Sequence, residues 1–216
     1  MNMQNGLDFG AVFEDIYSKN LWRYGSGEGS LPEHTKPYRM TLQKLLTKFK
    51  ISGVVDLGCG DWQFSRLIDW TGIDYHGFDV VRSVIEEDRR QYSSENIHFH
   101  LYPGLPSDLP GGDLLIAKDV LQHWSDEVIM NFLPHIRRYK YCLITNCINP
   151  NGHTVNANIQ NGGFRYLDLR LAPFNLHAEE LLTFTNYMSI WSRVVRKARW
   201  RKVVLLVSTA RAAQQA

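Results

Sequence analysis

The chain has 216 residues, of which 44% are hydrophobic and 21% are charged, and its formal net charge is +2. This composition predicts one globular domain with a substantial core, and so small a net charge offers no argument for a polyanionic partner. The first residues include acids and no long apolar run, which excludes a signal peptide or a membrane span there and favours a cytoplasmic protein.

The chain has three cysteines, and their number and placement predict buried thiols in a reducing compartment. Cys59, Cys142 and Cys147 fall in predicted strands or turns, and an odd number cannot all pair within the chain. No cysteine or histidine spacing resembles a zinc site, so no metal is predicted.

Residues 1–20 are predicted to form an amphipathic helix. Phe9, Phe13, Ile16 and Tyr17 recur at helical spacing and make one apolar stripe, which suits a helix packed on the edge of a sheet.

Residues 21–39 read LWRYGSGEGSLPEHTKPYR, with three glycines alternating with polar residues. This composition is typical of a flexible connector, but Trp22 and its aromatic neighbours favour a loop anchored over a ligand. The stretch lacks the lysine of a P-loop. A helix is predicted over 38–50, and Arg39 near its start is a candidate for binding a carboxylate.

The stretch VVDLGCGDW, residues 54–62, predicts a buried strand followed by a glycine turn, with a helix over 63–69. Asp56 stands two residues before Gly58, and no third glycine follows Gly60 as it would in a dinucleotide site. A carboxylate there would repel a pyrophosphate and suits a cationic ligand. S-adenosylmethionine, which carries an ammonium and a sulfonium, fits this charge.

The stretch IDYHGFDVV, residues 73–81, predicts a second buried strand, which ends at Asp79, 19 residues beyond Gly60. An acid at this spacing is where a ribose diol is bound. A surface helix over 81–96 and a third strand over 97–100 should follow.

The segment LPGGDLLIAKDVLQHW, 109–124, predicts a fourth strand with Lys118 and Asp119 at its carboxyl end, where α/β sheets bind ligands. Asp119 and His123 are four residues apart and would share a helical face, so the carboxylate could raise the basicity of the imidazole. The alternative is that Asp119 caps a turn and His123 packs under Trp124.

A helix beginning after Ser125 and a fifth strand over 139–148, with Asn146 near its end, are predicted next. Residues 149–176 should be an insertion that is either a solvent-facing β-ribbon or part of the acceptor site, with Arg165 and Asp168 binding a sugar or an acidic group. A short helix over 177–185 and a final strand pair over 186–209 should complete the domain before a frayed tail, 210–216.

The run RVVRKARWRK, 193–202, contains six basic residues in ten. It predicts either a solvated hairpin or a surface for an anionic partner, with Trp191 and Trp200 available for stacking.

Residues 54–62 together with Asp79 resemble the cofactor half of class I S-adenosylmethionine-dependent methyltransferases. AKDVLQHW (117–124) resembles the segment after the fourth strand of that superfamily, and LWRYGSGEGS (21–30) with GGFRYLDLRLAPFNL (162–176) looks like a small bacterial subfamily. The resemblance, from about residue 20 onward, implies an α/β, Rossmann-like, doubly wound and mostly parallel seven-stranded sheet with an antiparallel last strand and helices on both faces.

The resemblance implies a single domain with 1–50 as N-terminal helices and loop, 51–148 as the cofactor core, 149–176 as the acceptor insertion and 177–209 as the final elements. Because members of that superfamily often close the site with N-terminal additions, a lid over the acceptor pocket is the alternative to an edge-packed helix for residues 1–20. Family members often bind adenine with an acid after strand three; here main-chain carbonyls or Asp108 would do so. The implied cofactor-binding residues are Arg39, Asp56, Gly58, Cys59, Gly60, Trp62, Asp79, Val80, Lys118 and Asp119, and the implied substrate-binding residues are Tyr17, Trp22, His123, Asn146, Arg165 and Asp168.

The sequence thus predicts methyl transfer from S-adenosylmethionine, yielding S-adenosylhomocysteine, to a small-molecule or glycan acceptor. O-methylation with Asp119 and His123 as proton acceptor is favoured. The alternatives are an N-methyltransferase, an RNA methyltransferase that uses 193–202, and a non-catalytic cofactor-binding protein. Nucleic acid is disfavoured because no N/D-P-P-Y/F/W motif is present.

Overall fold

A computed structural model describes residues 9–187 and 198–209. Within these residues the chain forms one sheet of seven strands in the order β3-β2-β1-β4-β5-β7-β6. The strands are β1 (Gly53–Leu57), β2 (Asp74–Asp79), β3 (Ile97–Leu101), β4 (Gly112–Lys118), β5 (Tyr139–Ile148), β6 (Glu179–Tyr187) and β7 (Ala198–Ser208).

The sheet is parallel except at β7, which runs antiparallel to both β5 and β6. The four α-helices of the described residues are α1 (Phe9–Ser18), α2 (Pro32–Lys48), α3 (Arg82–Tyr92) and α4 (Asp126–Phe132). Buried side chains of α2 and α3 pack on one face of the sheet, and those of α4 pack on the other. The predicted Rossmann-like fold with helices on both faces is confirmed.

Several predicted elements are confirmed closely. Strand β5 has the predicted bounds, and α4 begins after Ser125, whose hydroxyl accepts a hydrogen bond from the main-chain N–H of Val128. Helix α4 ends at Phe132 and continues as a 3₁₀ helix, Leu133–Arg138, because Pro134 has no N–H to donate to the preceding turn. The three cysteines are buried free thiols.

The helix predicted over 63–69 is wrong, because only a 3₁₀ turn forms there, Ser65–Leu67. The Ser65 carbonyl accepts hydrogen bonds from the Ile68 N–H and the Trp70 indole N–H, and the Asp69 N–H donates to the Gln43 side chain. Both groups needed for the next helical hydrogen bond therefore have other partners.

The helix predicted over 177–185 is also wrong: this segment is β6. Its main chain pairs with β7, with Leu182 opposite Val204 and Phe184 opposite Lys202. A run of Glu and Leu favours helix locally, but pairing with a buried neighbouring strand overrides that preference. The insertion of 149–176 contains no strand, so the β-ribbon alternative is wrong as well.

Helix α2 begins at Pro32, six residues earlier than predicted, and proline is well suited to a first helical turn. Helix α1 lies within the predicted N-terminal helix and packs through Phe13 and Ile16 against Val81 and Val84. It therefore covers the loop after β2, at the carboxyl edge of the sheet. The predicted tail, 210–216, and residues 188–197 lie outside the described residues.

Candidate active site

The carboxyl ends of the parallel strands open into a cavity of about 380 Å³. The position is expected, because open α/β sheets bind ligands where the strand order reverses, here between β1 and β4. The glycine turn after β1, the ends of β2 and β4, helix α1, the loop after it, and the ends of β5 and β7 contribute to its lining.

The glycine turn adopts a backbone that only glycine adopts easily. Gly58 and Gly60 have φ of +71° and +56°, and the Gly58 N–H donates to the Phe78 carbonyl at 2.7 Å. A Cβ on Gly58 would lie 2.3 Å from Val120, and one on Gly60 would lie 2.2 Å from the Ser26 hydroxyl. The two glycines thus let neighbouring segments approach the turn closely.

Asp79 lies beside this turn at the end of β2. Its carboxylate accepts hydrogen bonds from the main-chain N–H groups of Gly60 and Val81, both at 3.0 Å. Burial raises the pKa of Asp79 to about 6, against the lowering effect of these N–H donors. Asp79, Val80 and Cys59 all line the cavity, as their predicted cofactor role requires.

Two residues expected to touch the cofactor face the core. Asp56 accepts a hydrogen bond from the Tyr75 hydroxyl at 2.7 Å, and burial raises its pKa to about 7. Trp62 packs among Tyr75, Tyr92 and Phe99. Neither residue is among the described residues that line the cavity. Successive side chains of β1 point to opposite faces of the sheet, and Asp56 points into the core beside Tyr75. The Trp62 indole packs in the core beneath the glycine turn.

At the end of β4 two buried ammonium groups share one carboxylate. Lys118 Nζ lies 2.6 Å from Asp119 Oδ2, and Lys202 Nζ of β7 donates to the same oxygen. Lys118 also donates to the Gly29 carbonyl at 3.1 Å. We call Lys118, Asp119 and Lys202 the lysine–aspartate cluster.

The charges of the lysine–aspartate cluster follow from its geometry. Burial raises the pKa of Asp119, but the two neighbouring ammonium groups outweigh burial and bring it down to about 2. Burial and the charge of Lys202 lower the pKa of Lys118 to about 8, against the stabilising effect of Asp119. At neutral pH the cluster therefore carries one net positive charge in the cavity wall.

The expected pairing of Asp119 with His123 is not observed. Asp119 has φ of +62°, and residues 121–123 form a 3₁₀ turn, so the two side chains do not share a helical face. His123 instead donates from Nδ1 to the Gly163 carbonyl at 2.7 Å, which places its proton on Nδ1. Burial lowers the pKa of His123 and favours a neutral ring whose Nε2 accepts a long, 3.4 Å contact from the Gln122 amide.

The loop of 21–30 folds over the glycine turn. The Ser26 N–H donates to Asp61, and the Asp61 N–H donates to the Ser26 hydroxyl at 2.9 Å. The Tyr17 hydroxyl of α1 lies 2.7 Å from the same Ser26 oxygen. Tyr17 and Trp22 both line the cavity, so α1 and the loop together form its cover.

Arg39 does not reach this cavity. It lies inside α2, where its guanidinium donates to the Pro32 carbonyl at 3.1 Å, because the helix starts earlier than the sequence predicted. Asp108 is exposed, and the loop after β3 instead lines the cavity with Tyr102, Gly104 and Pro106.

Two residues expected to bind the acceptor, Arg165 and Asp168, are used to hold the insertion together, and a third, Asn146, is buried inside β5. Arg165 pairs with Asp126 and donates to the Ala157 and Trp124 carbonyls, both at 2.8 Å. Asp168 pairs with Arg170 at 2.7 Å. Asn146 lies within β5 and is only 1% exposed. The described residues that line the cavity do not include Asn146, Arg165 or Asp168.

Lys202, Ser26 and Phe164 are site residues that sequence reasoning did not select. Lys202 directly precedes the apolar run 203–207 of β7, and a charge next to such a run was an available signal. The contacts of the basic run also change its interpretation, although residues 193–197 lie outside the described residues. Arg199 pairs with Glu28, and Lys202 pairs with Asp119. Two charges of the run thus face the cover and the cavity.

No protein-family model matches the chain, and no curated protein matches it. Solved structures do. The N1-methyltransferase of 1,6-didemethyltoxoflavin from Burkholderia thailandensis, with bound S-adenosylhomocysteine, is 15% identical with a TM-score of 0.61, covering 96% of this chain and 92% of that chain.

Magnesium protoporphyrin IX methyltransferase from Synechocystis PCC 6803, with bound SAH, is 16% identical with a TM-score of 0.59, covering 92% of this chain and 99% of that chain. A putative sarcosine dimethylglycine methyltransferase from Galdieria sulphuraria is 13% identical with a TM-score of 0.56, covering 82% and 87%. The chain therefore has the Rossmann-like fold of these methyltransferase structures.

No described helix is long and apolar enough to cross a membrane.

Proposed function

We propose that this protein is an S-adenosylmethionine-dependent methyltransferase that methylates a hydroxyl group of a small-molecule acceptor. The observation that carries the proposal is the meeting of a left-handed glycine turn with the buried carboxylate of Asp79 in a cavity at the carboxyl edge of the sheet. The similar structures with bound S-adenosylhomocysteine support it, and their stated substrates are small molecules.

The residues present fit this cofactor. Each oxygen of Asp79 accepts one main-chain N–H and retains a lone pair, as a carboxylate that binds a ribose diol requires. The net positive charge of the lysine–aspartate cluster suits a carboxylate, such as that of the methionine moiety.

Bound S-adenosylmethionine supplies a methyl group already activated on a sulfonium, so the protein's main task is positioning. The acceptor oxygen would take this methyl group, and the electron pair of the broken carbon–sulfur bond would stay with the departing S-adenosylhomocysteine. The hydroxyl proton goes to Nε2 of His123, which is left without a proton by the Nδ1 hydrogen bond to Gly163. General-base assistance of this kind contributes about 10²–10⁴-fold.

Asp119 has a different role in this proposal from the one the sequence suggested. A carboxylate whose pKa is lowered to about 2 is a poor proton acceptor at neutral pH. Asp119 instead holds Lys118 and Lys202 in the cavity wall, and His123 alone accepts the proton. An amine acceptor that is already neutral would not need His123.

Calorimetric titration with S-adenosylhomocysteine tests the cofactor site. Asp79→Asn should bind more weakly than the natural protein, because it removes the charge that accepts the ribose hydroxyls. Asp74→Asn, at the far, exposed end of the same strand, is the matched control and should bind normally. Absence of binding by the natural protein would refute the proposal, and binding without methyl transfer to any acceptor would favour the non-catalytic alternative.

A further inference from the structure

Aromatic rings surround His123 at one end of the cavity. The ring centroids of Trp22, Phe164 and Phe13 lie 5.2, 5.9 and 6.4 Å from that of His123. Trp22 is tilted by 36° to the imidazole, and Phe13 meets it edge-on at 85°. All four line the cavity, and we call them the aromatic chamber.

The aromatic chamber is assembled from distant parts of the chain. Phe13 comes from α1, Trp22 from the loop that covers the glycine turn, and Phe164 from the insertion after β5. Phe164 lines the cavity with a ring that is 54% exposed. An exposed ring beside a neutral imidazole at a cavity is typical of a wall that a ligand completes.

The chamber has few polar groups, and Nε2 of His123, which has only the long 3.4 Å contact from the Gln122 amide, is the least engaged of them. His123 Nδ1 binds the Gly163 carbonyl, and the Gln122 side chain accepts from the Cys147 N–H at 2.7 Å. Arg165 and Asp168, which could bind the many hydroxyls of a sugar, are held inside the insertion by other partners. Of the polar atoms named here, Nε2 of His123 is the one suited to take a proton from an acceptor.

We propose that the acceptor is a flat, hydroxylated aromatic or heteroaromatic ring, bound in the aromatic chamber against Trp22 and Phe164 with its hydroxyl at Nε2 of His123. The inference rests on the proposed function, which it narrows to one class of substrate. Offset stacking and edge contacts favour a planar ring over a puckered, saturated ring of the same size. A glycan would bring hydroxyls that the chamber cannot satisfy.

The test measures binding to the protein saturated with S-adenosylhomocysteine and, in a separate assay, methyl transfer from S-adenosylmethionine. The probes are catechol and naphthol, their ring-saturated counterparts cyclohexanediol and decahydronaphthol, and methyl glucoside. We expect calorimetry to show at least tenfold tighter binding of an aromatic probe than of its saturated counterpart, and methylation of the aromatic hydroxyl alone.

Phe164→Leu and Trp22→Leu should each reduce this aromatic preference at least threefold, and Phe164→Leu should leave affinity for S-adenosylhomocysteine unchanged. Tyr24→Leu is the matched control, since Tyr24 lies in the same loop as Trp22 but is 61% exposed and is not among the described residues of the cavity wall. The control should retain the full preference.

Failure to bind S-adenosylhomocysteine would refute the proposed function itself. With that ligand bound, the acceptor inference would be overturned if no aromatic probe bound, if saturated probes or the glucoside bound equally well, or if Tyr24→Leu lost the preference as fully as Phe164→Leu.

Discussion

The lysine–aspartate cluster allows a sharp test of the site's electrostatics through Asp119→Asn. The substitution keeps the side-chain shape but removes the charge that two buried ammonium groups share; both lysine side chains are only 3% exposed. Two charge-assisted hydrogen bonds are weakened, and removing one partner of a buried ion pair costs about 3–5 kcal/mol. We expect a loss of that size in the free energy of unfolding at neutral pH.

The loss should depend on pH with a definite sign. The pKa of Lys118 is lowered to about 8 in the folded protein from 10.5 in the unfolded chain, so between these values the unfolded state binds more protons and folding becomes more favourable as pH rises. Without Asp119 the folded pKa values of the lysines should fall further. The deficit of Asp119→Asn should therefore be largest near neutral pH and smaller near pH 10.

Urea denaturation at both pH values measures these free energies. Glu87→Gln is the matched control, because Glu87 pairs with Arg90 on the exposed surface of α3, where an ion pair contributes little. If Asp119→Asn lost no more stability than Glu87→Gln, or if its deficit did not shrink at high pH, the two lysines would not share a buried carboxylate as described.

Three further changes test the site. Asp79→Asn should weaken S-adenosylhomocysteine binding by about 1–3 kcal/mol in calorimetry through loss of charge-assisted hydrogen bonds, and unchanged affinity would remove Asp79 from the ribose. His123→Ala should lower kcat without altering cofactor affinity. Because burial lowers the pKa of His123, the activity of the natural protein should fall only below neutral pH, and the activity of the variant should not show this fall. Full activity would assign His123 to packing. Gly60→Ala should lower the free energy of unfolding by about 1–3 kcal/mol, because alanine is strained at a φ of +56°. Its Cβ should also displace Ser26 and make the loop of 21–30 more sensitive to protease. Unchanged proteolysis would contradict the close approach of Ser26 to Gly60.

The part of the site nearest the glycine turn was predictable because it depends on short-range spacing. An apolar run before Gly58 and Gly60 and an acid at the end of the next strand place Asp79 beside the turn in any parallel arrangement of β1 and β2. Parallel strands bring their carboxyl ends to one edge, so Lys118 at the end of β4 was predictable for the same reason.

Local pattern misled where a distant partner decided the outcome. The segment 177–185 has a helical composition but pairs with β7. Arg165 and Asp168 alternate with apolar residues, as a binding ribbon would, yet their charges are neutralised by Asp126 and Arg170 within and below the insertion. A side chain's nearest opposite charge depends on the chain path, which alternation does not encode.

By itself the sequence determined the parallel sheet, the glycine turn and the carboxylate of Asp79 beside it, because hydrophobic period and residue spacing act over a few residues. Only the tertiary structure decided which charge meets Asp119 and which rings surround His123. Lys202 lies 83 residues from Asp119, and Trp22 lies about a hundred residues before His123. Contacts at such separations depend on how the whole sheet is ordered and covered.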